Sequence, residues 1–392
     1  MRPERLKGAG KRALCLLLMA SLPILPGCWD RKELNEIALI RAVGIDRTED
    51  GQIEVTILQA IPVRAGTGGE GGGGGGGGGG GSQQMVLSAR GITIPEAKAK
   101  LQEKMGRRIF TGHQELVVLG KRLAKTGIRE ALDFFARFPG FRKDAFLFVT
   151  ESSPKEIFET VAPGEPTATE TLYKMVKLER AVDITIMRVL QEVSGDAEAA
   201  VIPVVMKVND TTLALDGAAV FRGDKMVDHL DRKAAEGLLW IRNEFISRII
   251  NTRLPGERGY VSLEVTRSET ELIPKIEGKK RRILLKVTAE DDVHFNGTRL
   301  SLYNPSVVDR IARPMERILR DRIRRTVKKV QKKSRADVLG FARAFHREYP
   351  EEWAKMKDHW NEQVFPRLDV DIQVRVHIRR PGVTDRPAGL PE

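Results

Sequence analysis

Apolar runs in the first half of the chain alternate with capped, helix-forming segments. Five runs have the length and composition of β-strands: Glu36–Gly44, Gln52–Ile61, Met85–Ala89, Glu115–Leu119 and Ala145–Val149. Asp50-Gly51 joins the first two, and this pair is typical of hairpin turns because the turn needs positive φ. Capping patterns that begin at Thr93 and Ser153, and the apolar stripe within Lys121–Arg137, predict helices. This order predicts an α+β fold, with mixed sheets packed against helices.

The second half contains longer elements. Thr169–Val193 predicts one amphipathic helix, and Asn304–Lys333 predicts a long basic helix or two helices that meet near Pro314. Three alternating segments predict a β-meander: Val261–Val265, Leu272–Ile276 and Ile283–Val287. A helix pair is predicted within Asp337–Phe365, with Trp353 and Trp360 sharing a buried face. The strict alternation from Val370 to Ile378 predicts a closing strand.

These elements divide into two main predicted domains. We assign residues 28–208 to an N-terminal domain, open to division into two subdomains, and residues 209–382 to a helix-rich C-terminal domain closed by the final strand. Residues 64–84 form a predicted flexible loop, because Gly66–Gly81 is almost pure glycine and has nothing to bury. No Gly-Lys-Ser/Thr follows this tract, so it is not a phosphate loop. Residues 383–392 are a predicted disordered tail.

The first residues of the chain are typical of an export signal. A cationic start precedes the apolar stretch Ala13–Leu25, which is too short for a membrane-spanning helix of about 20 residues. Leu25-Pro26-Gly27-Cys28 then resembles a lipobox, in which the cysteine becomes the mature N-terminus. We therefore predict a signal peptide over residues 1–27 and a lipid thioether on Cys28. The alternatives are a secreted protein and a single-pass anchor.

Composition narrows the class of protein. The chain has 392 residues, of which 41% are hydrophobic and 30% charged, as in an ordinary globular protein. Removing residues 1–27 lowers the net charge from +13 to +9, because that segment holds five basic residues and one acidic residue. A basic surface outside the membrane suits anionic lipid headgroups or wall polymers. It would suit nucleic acid only in the cytoplasm, so the export signal disfavours a nucleic-acid partner.

No arrangement of residues predicts catalysis. The six histidines have no zinc-protease spacing, no nucleophile elbow is present, and the mature chain keeps a single cysteine, so we expect no enzyme activity, metal, cofactor or disulfide. Asp291 and Asp292 are adjacent carboxylates that we place in a solvated turn. The basic run Arg317–Lys333 is interpreted as a helix with one buried stripe and a solvated cationic face.

Four stretches resemble one protein family, the Ger(x)C spore germination proteins. The first is Cys28-Trp29-Asp30-Arg31-Lys32-Glu33-Leu34 with Gly44-Ile45-Asp46, and the second runs from His113 to Ile128. The third opens with Asp216-Gly217 and extends to Ile241. The fourth is a late helical signature: Asp337-Val338-Leu339-Gly340-Phe341, Tyr349-Pro350, Trp353, Trp360 and Phe365. The glycine tract is longer than the family's usual loop.

The resemblance implies a non-catalytic lipoprotein subunit of a nutrient germinant receptor. It implies a lipid anchor on the outer face of the spore inner membrane and two partners, the integral membrane A and B subunits of the receptor. A function in nutrient-triggered spore germination follows. The alternative from another class is a lipid-anchored extracytoplasmic solute-binding protein that captures a small molecule itself.

Overall fold

The computed structural model describes residues 36–61, 83–178, 182, 184–244 and 247–380. Within these ranges the chain forms two β-sheets and a set of helices, as the α+β prediction requires. Cys28, most of the predicted loop 64–84 and the predicted tail 383–392 lie outside the described residues. No helix in the described ranges is long and apolar enough to cross a membrane.

The strands of both sheets are numbered in chain order: β1 (Ile37–Arg47), β2 (Ile53–Ile61), β3 (Gln83–Gly91), β4 (Arg108–Phe110), β5 (Leu116–Gly120), β6 (Phe146–Thr150), β7 (Ala199–Asn209), β8 (Thr212–Arg222), β9 (Lys225–Leu230), β10 (Arg248–Thr252), β11 (Val261–Glu277), β12 (Lys280–Asn296) and β13 (Asp369–Arg380).

The α-helices follow the same convention: α1 (Ile94–Glu103), α2 (Lys121–Thr126), α3 (Arg129–Arg137), α4 (Pro154–Glu159), α5 (Ala168–Lys177), α6 (Ile186–Val193), α7 (Arg232–Ile241), α8 (Pro305–Lys329), α9 (Phe341–Glu348) and α10 (Pro350–Met356). A π-helical segment, Val330–Ser334, continues α8, and short 3-10 and π segments over Lys357–Arg367 follow α10.

The larger sheet is mixed. Its strand order is β3-β2-β1-β5-β6-β7-β8-β9, and β4 adds to the end of β1. The four central strands β1, β5, β6 and β7 run parallel, and hairpins extend the sheet on both sides. Leu116 and Val118 of β5 face one apolar cluster, and Val117 and Leu119 face another. The central strands are therefore covered on both faces, which explains their continuous apolar sequence.

The smaller sheet has the order β10-β11-β12-β13. β11 and β12 form one long hairpin that turns at Gly278, whose φ of +59° favours glycine. β13 lies parallel to β12, and its Ile372, Val374 and Val376 are buried while their neighbours are exposed. This confirms the predicted closing strand. Its buried face packs on α8.

Helix α8 confirms the interpretation of the basic run. The helix continues through Pro314, and its buried stripe includes Met315, Leu319 and Ile323. The basic residues lie mostly away from this stripe, at the surface. The apolar stripe of α8 therefore packs against the smaller sheet, and most of its basic side chains face solvent.

The predicted lengths of two sets of elements are wrong. Thr169–Val193 forms two helices, α5 and α6, because Thr185 pairs with Phe146 of β6 and its side chain then caps α6. The predicted meander is two long strands, since the middle run Leu272–Ile276 belongs to β11.

The predicted boundary at residue 208 falls close to the turn between β7 and β8. These strands pair from Ala199 with Arg222 to Asn209 with Thr212, inside the larger sheet. The division of the chain at that point stays a prediction.

Candidate interaction surfaces

The Gly44-Ile45-Asp46 stretch joins two strands to a helix. β1 and β5 pair in parallel, so that Ile45 lies opposite Leu119 and Asp46 reaches over Gly120. Asp46 Oδ1 accepts hydrogen bonds from the backbone N–H of Arg47 at 2.8 Å and of Leu123 at 3.1 Å. Asp46, in β1, thus caps α2, a helix that follows β5 in the chain. Burial raises the pKa of Asp46 in spite of these two bonds.

Gly120 is required by that contact. A Cβ at this position would lie 1.9 Å from Cγ of Asp46, closer than any two carbon atoms can approach without bonding. Two of the family-like stretches, one ending at Asp46 and one containing Gly120, are therefore in direct contact.

Asp337 anchors the late helical signature. Its carboxylate accepts hydrogen bonds from the backbone N–H of Leu339 at 3.1 Å, Phe341 at 3.2 Å and Ala342 at 2.6 Å. The indole Nε1 of Trp360 donates a fourth bond at 2.9 Å. Burial raises the pKa of Asp337, and the four donors oppose that rise. The carboxylate caps α9 and fixes the Trp360 indole at the same time.

An aromatic cluster surrounds that indole. The ring of Trp360 lies 5.1 Å from Trp353 and 5.4 Å from Phe345, between ring centres. Trp353 is 4% exposed and Trp360 is 1% exposed, which confirms the predicted shared buried face. The signature residues build a core, and they offer no free ligand platform.

Charged side chains meet in a cleft between α6, the end of α7 and the smaller sheet. Arg188 and Arg242 each contact both Glu192 and Glu244, and Arg242 Nε lies 3.1 Å from Glu244 Oε1. The Arg242 side chain is only 10% exposed. A cavity of about 750 Å³ lies beside this quartet, and Arg343 of α9 lines it. The sequence did not reveal the quartet, because Arg188 and Glu192 lie about 50 residues before Arg242 and Glu244.

Asp291 corrects the prediction of a solvated turn. It lies within β12, opposite Val265 of β11 and Ile378 of β13, and it is completely buried. Neither carboxylate oxygen has a hydrogen-bond partner among the residues that the structure describes. Burial, and next the charge of Asp292, raises the pKa of Asp291 to about 7. Adjacent position alone could not reveal this, because the sequence does not show which face of the strand is covered.

An apolar groove opens near the point where the described chain begins. Its volume is about 830 Å³, and Ile37, Pro95, Ile109, Phe134 and Phe138 contribute to its lining. Phe110 lines it as well, and the side chains of Phe110 and Phe138 remain 39% and 37% exposed. Ile92, immediately before the capping residue of α1, is 79% exposed. The groove therefore combines a packed wall with exposed apolar rims.

Cations border the same groove. Lys98 Nζ lies 3.9 Å from the centre of the Phe138 ring, and burial, followed by the charge of Arg108, lowers the pKa of Lys98. Lys98, Arg107 and Arg108 have no carboxylate partner among the described residues. Asp133, in contrast, is paired with Arg137 at 2.8 Å.

Cys28, the predicted lipidation site, lies outside the described residues. The backbone carbonyl of Glu36 accepts a hydrogen bond at 2.9 Å from Arg108 N–H, at the rim of the groove. Within the described ranges, no three His, Cys, Asp or Glu side chains could hold a metal ion together.

Two family models match the chain. The model for the "Spore germination protein N-terminal domain" matches residues 30–207, and "Spore germination B3/ GerAC like, C-terminal" matches residues 216–382. Among solved structures, the "Crystal Structure of the GerBC protein" has a TM-score of 0.59 at 17% identity. It covers 86% of this chain and 97% of that chain, so the two share a fold.

Relatives from Bacillus subtilis (strain 168) match over nearly their whole length. "Spore germination protein KC" is 32% identical, over 96% of this chain and 97% of the relative. "Spore germination protein A3" is 24% identical over 94% of this chain and 97% of the relative. "Spore germination protein B3" is 21% identical over 95% and 98%. The chain therefore belongs to the Ger(x)C family of spore germination proteins, the non-catalytic C subunits of nutrient germinant receptors.

Proposed function

We propose that the chain is the lipoprotein subunit of a germinant receptor and is needed for nutrient-triggered spore germination. The observation that carries this proposal is the match of both family models, which together span residues 30–207 and 216–382.

The membrane attachment in this proposal is a lipid on Cys28. An apolar stretch ends three residues before Cys28, and the family match begins two residues after it. A thiolate is the side chain suited to form the thioether, and each buried methylene of its acyl chains contributes about 0.8 kcal/mol of membrane binding. The folded body would then lie on the outer face of the spore inner membrane, beside the integral A and B subunits.

Substitution of Cys28 tests the proposal. In a strain without redundant receptors, we expect Cys28→Ala to move the protein out of the membrane fraction and to slow germination with the receptor's nutrient. Cys15→Ala is the matched control, because Cys15 lies within the predicted signal peptide. Mass spectrometry of protein from spores should find diacylglycerol on Cys28. An unmodified Cys28 with unchanged germination in the variant would refute the proposal.

The cleft beside Arg242 favours the solute-binding alternative. A cavity of about 750 Å³, lined by both arginine and carboxylate side chains, has the size to hold a small polar solute. A ligand that binds only the folded state raises its thermal midpoint. Stabilisation of the chain by a germinant, lost in Arg343→Ala, would support direct capture. If no germinant of the receptor stabilised the chain, the germinant would have to bind to another subunit.

A further inference from the structure

We infer that the apolar groove and its cationic rim form a second membrane contact, which binds the surface of an anionic phospholipid bilayer. The inference deepens the proposed function and rests on it for the orientation of the body. The surface consists of Phe110, Phe138, Lys98 and Arg108, which line the groove, and of the exposed Ile92 and Arg107, the chain neighbours of the lining residues Thr93 and Arg108. We call it the groove face.

Chain length sets the distance between the groove face and the anchor. Cys28 lies eight residues before Glu36, whose carbonyl is bonded to Arg108 N–H. At about 3.5 Å for each fully extended residue, Cys28 lies within about 30 Å of the groove rim. A diacylglycerol on Cys28 would thus keep the groove rim within about 30 Å of the bilayer surface, close enough for direct contact.

The aromatic rims are held in place by glycines. A Cβ on Gly140 would lie 2.7 Å from the Phe138 ring, and a Cβ on Gly112 would lie 2.7 Å from the Phe110 ring. Thr111 Oγ1 donates a hydrogen bond to the Gly140 carbonyl at 2.7 Å, which ties the two glycine segments together. Both rings are therefore positioned at the surface before any partner binds, so that little side-chain entropy is lost on contact.

Behind the exposed rings, the wall of the groove is a packed cluster of phenylalanines. The Phe134 ring lies 5.7 Å from Phe138 and 5.2 Å from Phe141, and Phe141 also contacts Phe135 at 5.2 Å. Such packing prevents the exposed ring of Phe138 from folding inward.

The positive charge of the groove face favours an anionic lipid surface as its partner. The three cations of the groove face lack carboxylate partners among the described residues. The two carboxylates in the groove lining are paired, Asp133 with Arg137 and Glu130 with Arg47. Apolar rings beside unpaired basic side chains match the boundary between acyl chains and anionic headgroups. A partner helix would fit the groove but does not account for free cations on an already basic protein.

Vesicle binding by an unlipidated chain tests the inference. The chain begins at residue 28 and carries Cys28→Ser, so its result does not depend on whether Cys28 is acylated in spores. We expect it to float with vesicles of equal phosphatidylglycerol and phosphatidylcholine, and not with phosphatidylcholine alone. Arg107→Ser with Arg108→Ser should weaken binding about 25-fold, because each cation near an anionic surface contributes about fivefold. Phe110→Ser with Phe138→Ser should weaken it about tenfold.

Matched substitutions elsewhere control for charge and hydrophobicity. Lys279→Ser with Lys280→Ser removes two exposed charges from the β11–β12 turn, and Phe295→Ser removes a ring that is 56% exposed. Both controls should bind nearly as tightly as the parent. Equal weakening by the controls, or no binding of the parent to anionic vesicles, would overturn the inference.

A site-specific probe distinguishes contact from misfolding. The Cys28→Ser chain from residue 28 has no other cysteine, so Ile92→Cys can carry a single environment-sensitive dye. The dye should shift to the blue with anionic vesicles, while the same dye at Phe295→Cys should not. A shift at both positions or at neither would contradict a contact through the groove face. Groove-dependent capture of a receptor subunit, without a dye shift on vesicles, would assign the groove to protein instead.

Discussion

Asp291 should make the stability of the protein depend on pH. Its carboxyl is buried within β12 without a hydrogen-bond partner in the described part of the chain, and its pKa rises from the ordinary 3.8 to about 7. The unfolded chain releases this proton near pH 3.8 and the folded chain near pH 7, so the folded state holds more protons between these values. The contribution of Asp291 to the free energy of unfolding therefore falls as pH rises through this window, and it stays low above about pH 7.

The expected magnitude follows from the two pKa values. At about 1.4 kcal/mol for each pH unit, the full window corresponds to about 4 kcal/mol. Asp291→Asn removes the titration but keeps the size of the side chain. We therefore expect the variant to gain about 3 kcal/mol relative to the wild type between about pH 5 and about pH 8.

Urea unfolding at a series of pH values measures this difference. The variant is compared with wild type at each pH, so that the titration of other groups cancels. Asp371→Asn on the exposed edge of β13 is the matched control and should follow the wild-type profile. Parallel profiles for the wild type and Asp291→Asn would refute the reasoning, since they would mean that Asp291 titrates alike in both states.

Three further substitutions test contacts that hold the fold together. Asp337→Ala leaves four donors without their acceptor, and we expect a loss of at least about 3 kcal/mol in the free energy of unfolding by urea. Gly120→Ala should lower stability by about 1 to 3 kcal/mol through overpacking, whereas Gly106→Ala, with open space around it, should not. Arg242→Met should cost about 3 to 5 kcal/mol, because Glu192 loses a buried partner.

Each of these expectations can fail on its own. A near-neutral Asp337→Ala variant would show that water replaces the lost acceptor. An equal loss for the two glycine variants would show that the contact with Asp46 does not determine the cost at Gly120. A stable Arg242→Met protein would show that Arg188 alone neutralises the two glutamates of the cleft.

Periodicity predicted the elements whose pattern is local. The alternation from Val370 to Ile378 identified β13 because each exposed residue lies between buried ones. Thr169–Val193 was predicted wrongly as one helix, since its apolar residues fit a helical stripe and only the pairing of Thr185 with Phe146 interrupts it. That pairing depends on a strand distant in sequence, and no local pattern reports it.

Surfaces were harder to predict than elements. Phe110 and Phe138 are separated by more than two dozen residues and meet at one groove, where Thr111 Oγ1 donates a hydrogen bond to the Gly140 carbonyl. Asp291 was misplaced for the same reason, because β12 is covered at one edge by β13, a strand that follows much later in the chain. Cys28 stays a prediction made from its sequence neighbours alone.

The β7–β8 pairing has an evolutionary consequence. The first family model ends at residue 207 and the second begins at residue 216, yet the backbone ladder between these strands crosses that junction. Exchange of whole halves between related genes would have to preserve the register of two strands from different parents. Recombination is therefore expected to leave the two halves inherited together, as one unit.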